Sequence, residues 1–281
     1  MAQAHTCTPF MSKRIAFIGG GNMASAIISG LIKQGLPAEL IDVVEPFAEA
    51  RDKLQASFGI TAQPEAGAFL LDAALVVWAV KPQTFKVAAL AVVPHVPGHL
   101  HLSVAAGIRS DSIATWLGSE RIVRAMPNTP ALIGQGITGL FARASVTAND
   151  KAFVEQVIAT TGESLWMEAE EQLDVVTALS GSGPAYVFYF MEAMTTAGTE
   201  MGLSREQALQ LAIATFSGAS ALAKASDESP QLLRQRVTSK GGTTFAAISS
   251  MEDNDVRALF IDAMYAARER AKELGDEFGT A

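Results

Sequence analysis

Residues 15–24, Ile-Ala-Phe-Ile-Gly-Gly-Gly-Asn-Met-Ala, decide the fold of this chain. The apolar run predicts a buried strand, and the glycines after it predict a tight turn that opens a helix. Gly19, Gly21 and Ala24 match the G-x-G-x-x-G/A pattern, which lets a pyrophosphate approach the backbone and keeps the helix close to the sheet. We therefore expect a dinucleotide at the free N–H groups of the helix start. The residues that we assign to it here are Gly19, Gly21, Asn22, Met23 and Ala24.

An acidic residue follows this turn at a suitable distance. Glu45 ends a second predicted strand, residues 40–45, about 20 residues past the glycines. A carboxylate there accepts hydrogen bonds from the adenosine ribose hydroxyls and repels a 2′-phosphate, which favours NADH over NADPH. Arg51 follows on the next helix and is able to move toward a phosphate, so both cofactors stay open.

The first half of the chain alternates strand and helix patterns. The strongest strand pattern, residues 73–80, is apolar at every position, as in a parallel strand that is covered on both faces. This alternation predicts a doubly wound α/β domain, in which ligands bind beyond the carboxyl ends of the strands. The strands that we predict span residues 14–18, 40–45, 73–80, 100–105, 121–125, 136–141 and 164–167.

Three loops should lie at that edge of the sheet: residues 79–83, 104–107 and 126–130. The second consists of small residues, which let a nicotinamide ring lie against the backbone. All three are equally typical of ordinary turns, and their spacing does not separate the two interpretations.

The second half of the chain is an alanine-rich helical region. Ser204 and Gln207 form a predicted capping box, and the helix that they open is apolar almost all round. Such a helix must be enclosed by other helices, so we expect a subunit interface here. The last helix is amphipathic from Val256 to Leu274, and Gly275 should end it.

Two glycine-rich segments interrupt this region. In residues 179–186, Pro184 and Ser182 predict a helix start. In residues 237–244, two glycines and several hydroxyls before a new helix form a nest of backbone donors that suits a carboxylate. An ordinary turn between helices fits the second segment too.

The order of these segments resembles the pyrroline-5-carboxylate reductase family. The resemblance runs from Arg14 to Leu274 and is most specific over Pro230–Glu252, the family signature. Lys240 replaces a proline that is common in the family, and Glu45 replaces the small or basic residue of NADP-preferring members. The other segments that carry the resemblance are residues 80–83, 126–130 and 180–185.

The resemblance implies an α/β N-terminal Rossmann-type dinucleotide-binding domain followed by an all-α dimerisation domain. We expect a disordered lead over residues 1–12, the Rossmann domain over 13–165 and the helical substrate-binding and dimerisation domain over 166–281. Members form homodimers, in some cases pentamers of dimers (decamers), whose active sites draw on both subunits. They reduce the cyclic imine 1-pyrroline-5-carboxylate to L-proline, the last step of proline biosynthesis, with NADPH or NADH.

The resemblance also assigns site residues. The loop that it implies for binding the substrate carboxylate consists of Ser239, Gly241, Gly242, Thr243 and Thr244. Thr244, with Ser239, is the catalytic candidate, because its hydroxyl is expected nearest the imine nitrogen. The residues expected at the nicotinamide are Val80, Lys81, Pro82, Ala105, Ala106 and Asn128.

Composition excludes several function classes. The formal net charge is −8 and no basic run occurs, which argues against nucleic-acid binding. The charge-free stretches are too short or too interrupted by polar residues and prolines to predict a membrane span. A single cysteine, Cys7, makes neither an internal disulfide nor a cysteine zinc site, which is typical of the cytoplasm. His99 and His101 share a strand face without a third ligand, so we predict no metal.

Two other functions are compatible with the glycine turn. A 3-hydroxyacid dehydrogenase of similar design uses a lysine on the first long helix after the Rossmann domain, but residues 152–223 contain no lysine. A regulatory protein that binds a nicotinamide cofactor without turnover would have no use for the loop at residues 239–244.

Overall fold

The computed structural model describes residues 12–279, and its first half is built on one seven-stranded sheet. The strand order is β2-β1-β3-β4-β5-β6-β7. All seven predicted strands are present, with ends shifted by at most two residues. The strands are β1 (Ile15–Ile18), β2 (Ile41–Val44), β3 (Leu75–Trp78), β4 (Leu100–Ser103), β5 (Ile122–Met126), β6 (Gly136–Ala142) and β7 (Gly162–Trp166). The predicted N-terminal lead lies outside the described residues, apart from Ser12, and so does Cys7.

Helices cover both faces of the sheet. Phe17 and Val77 point into a core on one face, and Trp78 and Phe85 lie in a second core on the other. Strands that are buried on both sides in this way need apolar residues at every position, as residues 75–78 have. The helices of the chain are α1 (Asn22–Lys33), α2 (Ala48–Phe58), α3 (Pro82–Val92), α4 (Ser110–Leu117), α5 (Ala148–Ile158), α6 (Gln172–Val176), α7 (Gly183–Glu200), α8 (Arg205–Lys224), α9 (Pro230–Arg236), α10 (Thr243–Asp253) and α11 (Val256–Gly279).

One strand pair departs from the parallel pattern. β6 runs antiparallel to β5, whereas the other neighbouring strands are parallel. Only a short 3₁₀ turn, Thr129–Ile133, lies between these two strands. A parallel return requires a crossover of a dozen or more residues, so this connection reverses the chain.

The chain forms two compact units: residues 12–181 with 267–279, and residues 182–266. The sequence-based domain boundary at 165/166 lies earlier than this division. Residues 166–181 pack with the sheet because glycines make room for them: a Cβ on Gly139 would lie 2.8 Å from Val176 Cγ1, and one on Gly181 would lie 2.5 Å from Met126 Cε.

The end of helix α11 also packs with the first unit. A Cβ on Gly107 would lie 3.1 Å from the Cβ of Leu274, and Arg109 pairs with Asp276 at 2.9 Å. The prediction that Gly275 ends this helix is wrong. Gly275 is buried inside the helix, and a Cβ there would lie 3.3 Å from Arg109 Nε, so its small size serves packing.

The second unit has little core of its own. Its buried residues are Thr195, Gly198, Ala208 and Ala212, which lie on helices α7 and α8. Many large apolar side chains are exposed instead, among them Leu211 (56%). The predicted capping box is present, with Gln207 N donating to Ser204 Oγ at 3.2 Å and Ser204 N donating to Gln207 Oε1 at 3.0 Å. Across residues 12–279, no helix has the length and apolar character that a membrane span needs.

Candidate active site

The glycine turn after β1 has the geometry that a nucleotide-binding turn requires. Gly19 has a φ of +96°, and a Cβ there would lie 2.6 Å from the carbonyl oxygen of Ala79, so only glycine fits. Its N–H donates to Val44 O at 2.8 Å, which joins the turn to the end of β2. Gly21, in contrast, has no atom within 4 Å of its Cβ position and leaves open space above the backbone.

Helix α1 begins at this open space. Gly21 is its N-cap residue and makes no side-chain cap, so the N–H groups of the first turn are left without intrahelical partners. Asn22 is exposed, Met23 is half-buried and Ala24 is fully buried against the sheet. Exposed backbone donors at the positive end of a helix fit a pyrophosphate.

Glu45 has a different set of partners from the one expected of it. Its Oε2 accepts from the N–H of Gly20 at 2.8 Å, and its Oε1 accepts from the N–H of Phe47 at 2.9 Å. The residue is only 6% exposed. Arg51 lies beside it, and its Nη1 donates to the carbonyl oxygens of Glu45 at 3.0 Å and Pro46 at 2.7 Å.

The loops after β3 and β4 lie at the same edge of the sheet. Lys81 is the N-cap of helix α3, and Pro82 is the first residue of that helix, as expected for proline. Val80, Pro82 and Ala106 are half-buried, Lys81 is exposed and Ala105 is buried. Apart from Val80 and Lys81, the residues named here present only alanine or proline side chains at this edge.

Asn128 uses both ends of its side-chain amide to brace this edge. Nδ2 donates to Ser180 O at 3.1 Å, and Oδ1 accepts from the N–H of Ile137 at 3.0 Å. Ser180 belongs to a π-helical turn, Thr177–Gly181, and such turns occur frequently at functional sites. Asn128 therefore ties the loop after β5 to β6 and to this turn.

A buried ion pair that the sequence did not predict lies near the same edge. Arg124, on β5, is 7% exposed and its Nη1 donates to Glu170 Oε1 at 2.6 Å, while the same oxygen accepts from the N–H of Ser110, the first residue of α4, also at 2.6 Å. Burial raises the pKa of nearby Asp174, against the opposing effects of Arg124 and Arg109. A single arginine in the apolar strand 122–126 indicates such a pair in the sequence, since a buried charge needs a partner.

The glycine loop of the second unit precedes helix α10. Gly242 is the N-cap of α10 and makes no side-chain cap, so the N–H groups at Thr243 and Thr244 are free of intrahelical partners. Gly241 has a φ of +75°, and the N–H of Gly242 donates to Ser239 O at 3.0 Å to close the turn. Ser239 is exposed and Thr244 is half-buried. The loop has the backbone donors that a carboxylate needs.

Comparison with known proteins identifies the family. Residues 170–274 match the model described as pyrroline-5-carboxylate reductase dimerisation, and residues 14–107 match the one described as NADP oxidoreductase, coenzyme F420-dependent. A curated pyrroline-5-carboxylate reductase from Pseudomonas aeruginosa is 47% identical over 268 residues, which cover 95% of this chain and 98% of that protein. This chain belongs to the pyrroline-5-carboxylate reductase family.

Solved structures of the family have the same fold. A pyrroline-5-carboxylate reductase from Coxiella burnetii is 40% identical, with a TM-score of 0.87, and the match covers 94% of this chain and 98% of that one. The Plasmodium falciparum pyrroline carboxylate reductase, solved with NADP bound, is 29% identical with a TM-score of 0.85 over 94% of this chain and 99% of its own. The predicted Rossmann domain followed by a helical dimerisation domain is therefore confirmed.

The family membership leaves the metal prediction untested. In the part of the chain that the structure describes, no group of three histidine, cysteine or acidic side chains is arranged to hold a metal ion. His101, one of the two histidines considered, is buried beside the ring of Trp78.

Proposed function

We propose that this protein reduces 1-pyrroline-5-carboxylate to L-proline with a reduced nicotinamide dinucleotide, NADPH or NADH. The observation that carries the proposal is the 47% identity, over 95% of the chain, to a relative named for this activity. The open glycine turn at Gly21 and the glycine loop before α10 supply the two binding features that such a reaction needs.

The nucleotide side of the reaction belongs to the first unit. The N–H groups of Asn22, Met23 and Ala24 hold the pyrophosphate at the positive end of α1. Beyond the ends of β3, β4 and β5, the loops form a surface that would hold the nicotinamide and exclude water from the transferred hydride. The residues that form this surface in the proposal are Val80, Lys81, Pro82, Ala105, Ala106 and the loop braced by Asn128.

The substrate side belongs to the loop before α10. The free backbone N–H groups of Thr243 and Thr244 bind the substrate carboxylate, in the turn that Gly241 and Gly242 shape, with the hydroxyl of Ser239 beside them. The hydroxyl of Thr244 hydrogen-bonds the ring nitrogen and orients the imine. Since a protonated imine is already electrophilic, orientation matters more than a strong general acid.

The chemistry balances as one hydride and one proton. When bound, the reduced nicotinamide supplies the hydride, which forms a C–H bond at the imine carbon. The π bond of C=N breaks and its electron pair stays on nitrogen, whose proton makes the secondary amine of proline. The protein aligns the two rings and holds the substrate carboxylate away from the reacting carbon.

The same proposal includes the assembly. Exposed apolar side chains on α7 and α8 need a cover, and a matching model named for dimerisation spans both helices. We propose a homodimer whose active sites draw on both subunits, assembled further into a pentamer of dimers. Its setting is the cytoplasm, in agreement with the single cysteine.

The test is loss of reduced-nicotinamide absorbance on addition of 1-pyrroline-5-carboxylate, run separately with NADH and NADPH. We expect loss that depends on both enzyme and imine, with proline as the product by chromatography. Folded protein that leaves both cofactors unoxidised would contradict the proposal. A second arm with pyruvate and ammonia, an acyclic imine source, checks that the ring is required.

A further inference from the structure

We infer that Arg51 discriminates between a 2′-hydroxyl and a 2′-phosphate on the adenosine, and that Glu45 is a positioning residue for the glycine turn. The inference rests on the proposed use of a nicotinamide dinucleotide. It reverses the sequence-based expectation, in which the Glu45 carboxylate reads the ribose and repels a phosphate.

The hydrogen bonds of Glu45 are directed at the backbone. Each carboxylate oxygen accepts one N–H, from Gly20 at 2.8 Å and from Phe47 at 2.9 Å, and the side chain is nearly buried. These charge-assisted bonds join the glycine turn to the segment after β2. Neutralising or removing the carboxylate would therefore weaken these bonds to the turn, rather than a contact to a ribose.

The surroundings of Gly20 agree with this positioning role. A Cβ at Gly20 would lie 2.7 Å from Leu54 Cδ1 and 3.4 Å from Glu45 Cγ, so the turn is packed between β2 and helix α2. The neighbouring N–H of Gly19 is bonded to Val44 O. Two consecutive amides of the turn are thus fixed by residues at the end of β2, and Glu45 holds one of them.

Arg51 is the cation anchored at that strand end. It lies on α2, and its Nη1 donates to the carbonyl oxygens of both Glu45 and Pro46. A guanidinium carries five N–H donors, and among residues 12–279 no acceptor partners its Nη2 or Nε. In a doubly wound sheet the adenosine ribose binds beyond the end of the second strand, so a phosphate there meets an anchored fork of free donors.

The experiment measures binding of two adenosine fragments by calorimetry, without turnover. The probes are adenosine 5′-monophosphate and adenosine 2′,5′-bisphosphate, and the variants are Arg51→Gln and Glu45→Gln. For Arg51→Gln, we expect the affinity for the bisphosphate to fall about tenfold or more while that for the monophosphate stays within about twofold. Lys53→Gln, an exposed cation two residues along α2, is the matched control and should leave both affinities unchanged.

For Glu45→Gln, we expect both probes to weaken by the same factor, because the turn that binds their shared 5′-phosphate is loosened. Faster hydrogen exchange in a peptide covering residues 19–23 would accompany this loss. A selective gain for the bisphosphate would instead make Glu45 the discriminating residue and overturn the inference. Equal losses in Arg51→Gln, or none, would also overturn it.

The result is separable from the proposed function. Wild-type protein that binds neither probe contradicts both the cofactor assignment and this inference. Wild-type protein that binds both probes but does not reduce the imine contradicts only the proposed reaction, and the Arg51 and Glu45 variants still decide the inference.

Discussion

Trp78 donates its indole Nε1–H to Nδ1 of His101 across 3.2 Å in the interior of the sheet. Both side chains are buried, and Nε2 of His101 has no partner in the part of the chain that the structure describes. The bond requires Nδ1 to be unprotonated, so the imidazole is neutral. Burial, followed by the nearby His99 and Arg121, lowers the pKa of His101 to about 3.

This pKa predicts acid sensitivity. Because the pKa in the folded protein lies below the usual 6.5, the unfolded chain binds more protons between pH 6.5 and 3. Lowering the pH through this window should therefore decrease the free energy of unfolding by up to about 1.4 kcal/mol per pH unit from His101 alone. Stability from this group is fully present above pH 6.5 and is lost near pH 3.

Replacing His101 tests the assignment. His101→Gln keeps an acceptor for Trp78 but does not titrate, so its stability should depend less on pH. Between pH 7 and 4.5, the urea-unfolding free energy of wild type should decrease by about 2 to 3 kcal/mol more than that of the variant. His95→Gln is the control and should follow wild type. Parallel pH curves for wild type and His101→Gln would rule His101 out as the source.

The two glycines of the turn should respond differently to alanine. At Gly21 there is room for a methyl and the φ is −71°, so Gly21→Ala should fold normally. Its Cβ would occupy the space of the pyrophosphate, and we expect cofactor binding to weaken by about 1–3 kcal/mol. Gly19→Ala places a Cβ against Ala79 O at positive φ and should lower the free energy of unfolding by about 3 kcal/mol. Calorimetric binding and denaturant unfolding separate the two effects.

Asn128 should be sensitive to loss of its donor. Asn128→Asp retains the acceptor for Ile137 but sets a carboxylate oxygen against the carbonyl of Ser180, where the Nδ2 donor was. We expect a loss of about 1–3 kcal/mol in unfolding free energy together with lower turnover. Asn149→Asp, at an exposed asparagine, is the control for the added charge. Equal stability of the two variants would remove the bracing role.

The apolar surface of α8 should control assembly. Leu211 is 56% exposed in the single chain, and Leu211→Glu places a charge on this surface. Because a charge is costly to bury at an interface, sedimentation should shift toward monomer and activity should fall with it. Ala56→Glu introduces the same residue on exposed α2 and should sediment like wild type. If the Leu211→Glu variant sediments with the same assembly mass as wild type, the interface lies elsewhere.

The hydroxyl of Thr244 should affect turnover more than cofactor binding. In Thr244→Ala the proposed hydrogen bond to the ring nitrogen is lost, and we expect kcat to fall roughly tenfold to a hundredfold. The Kd for the reduced cofactor should stay unchanged, and Thr244→Ser should recover most of the rate. Unchanged kcat in the alanine variant would remove Thr244 from the mechanism.

Sequence periodicity predicted the sheet because each buried strand leaves a local apolar run, as residues 75–78 do. The reversal at β6 was not predicted, since it depends on the length of a 3₁₀ connection rather than on the strand pattern. A glycine within a helix and a glycine just after one give the same sequence pattern, and only the contact with Arg109 shows that Gly275 lies within α11.

In the candidate active site too, local features were predictable from the sequence and long-range contacts were not. The glycine pattern predicted the turn, because the requirement for positive φ at Gly19 is local. The partners of Glu45 were not predictable, since a carboxylate at the end of β2 is able to accept hydrogen bonds either from a ribose or from the two backbone amides. Asn128 and Arg124 depend on contacts with residues more than 40 positions away in sequence.

The last turns of α11 have a consequence for where this enzyme tolerates a shortened chain. Leu274 lies against Gly107, directly after the small residues at the end of β4, and Asp276 pairs with Arg109. A protein truncated after Ala266 would retain every residue of the helical unit. Its damage would appear instead in the first unit, at the loop after β4 that carries Gly107 and Arg109, so loss of the C-terminus would destabilise the sheet-containing unit.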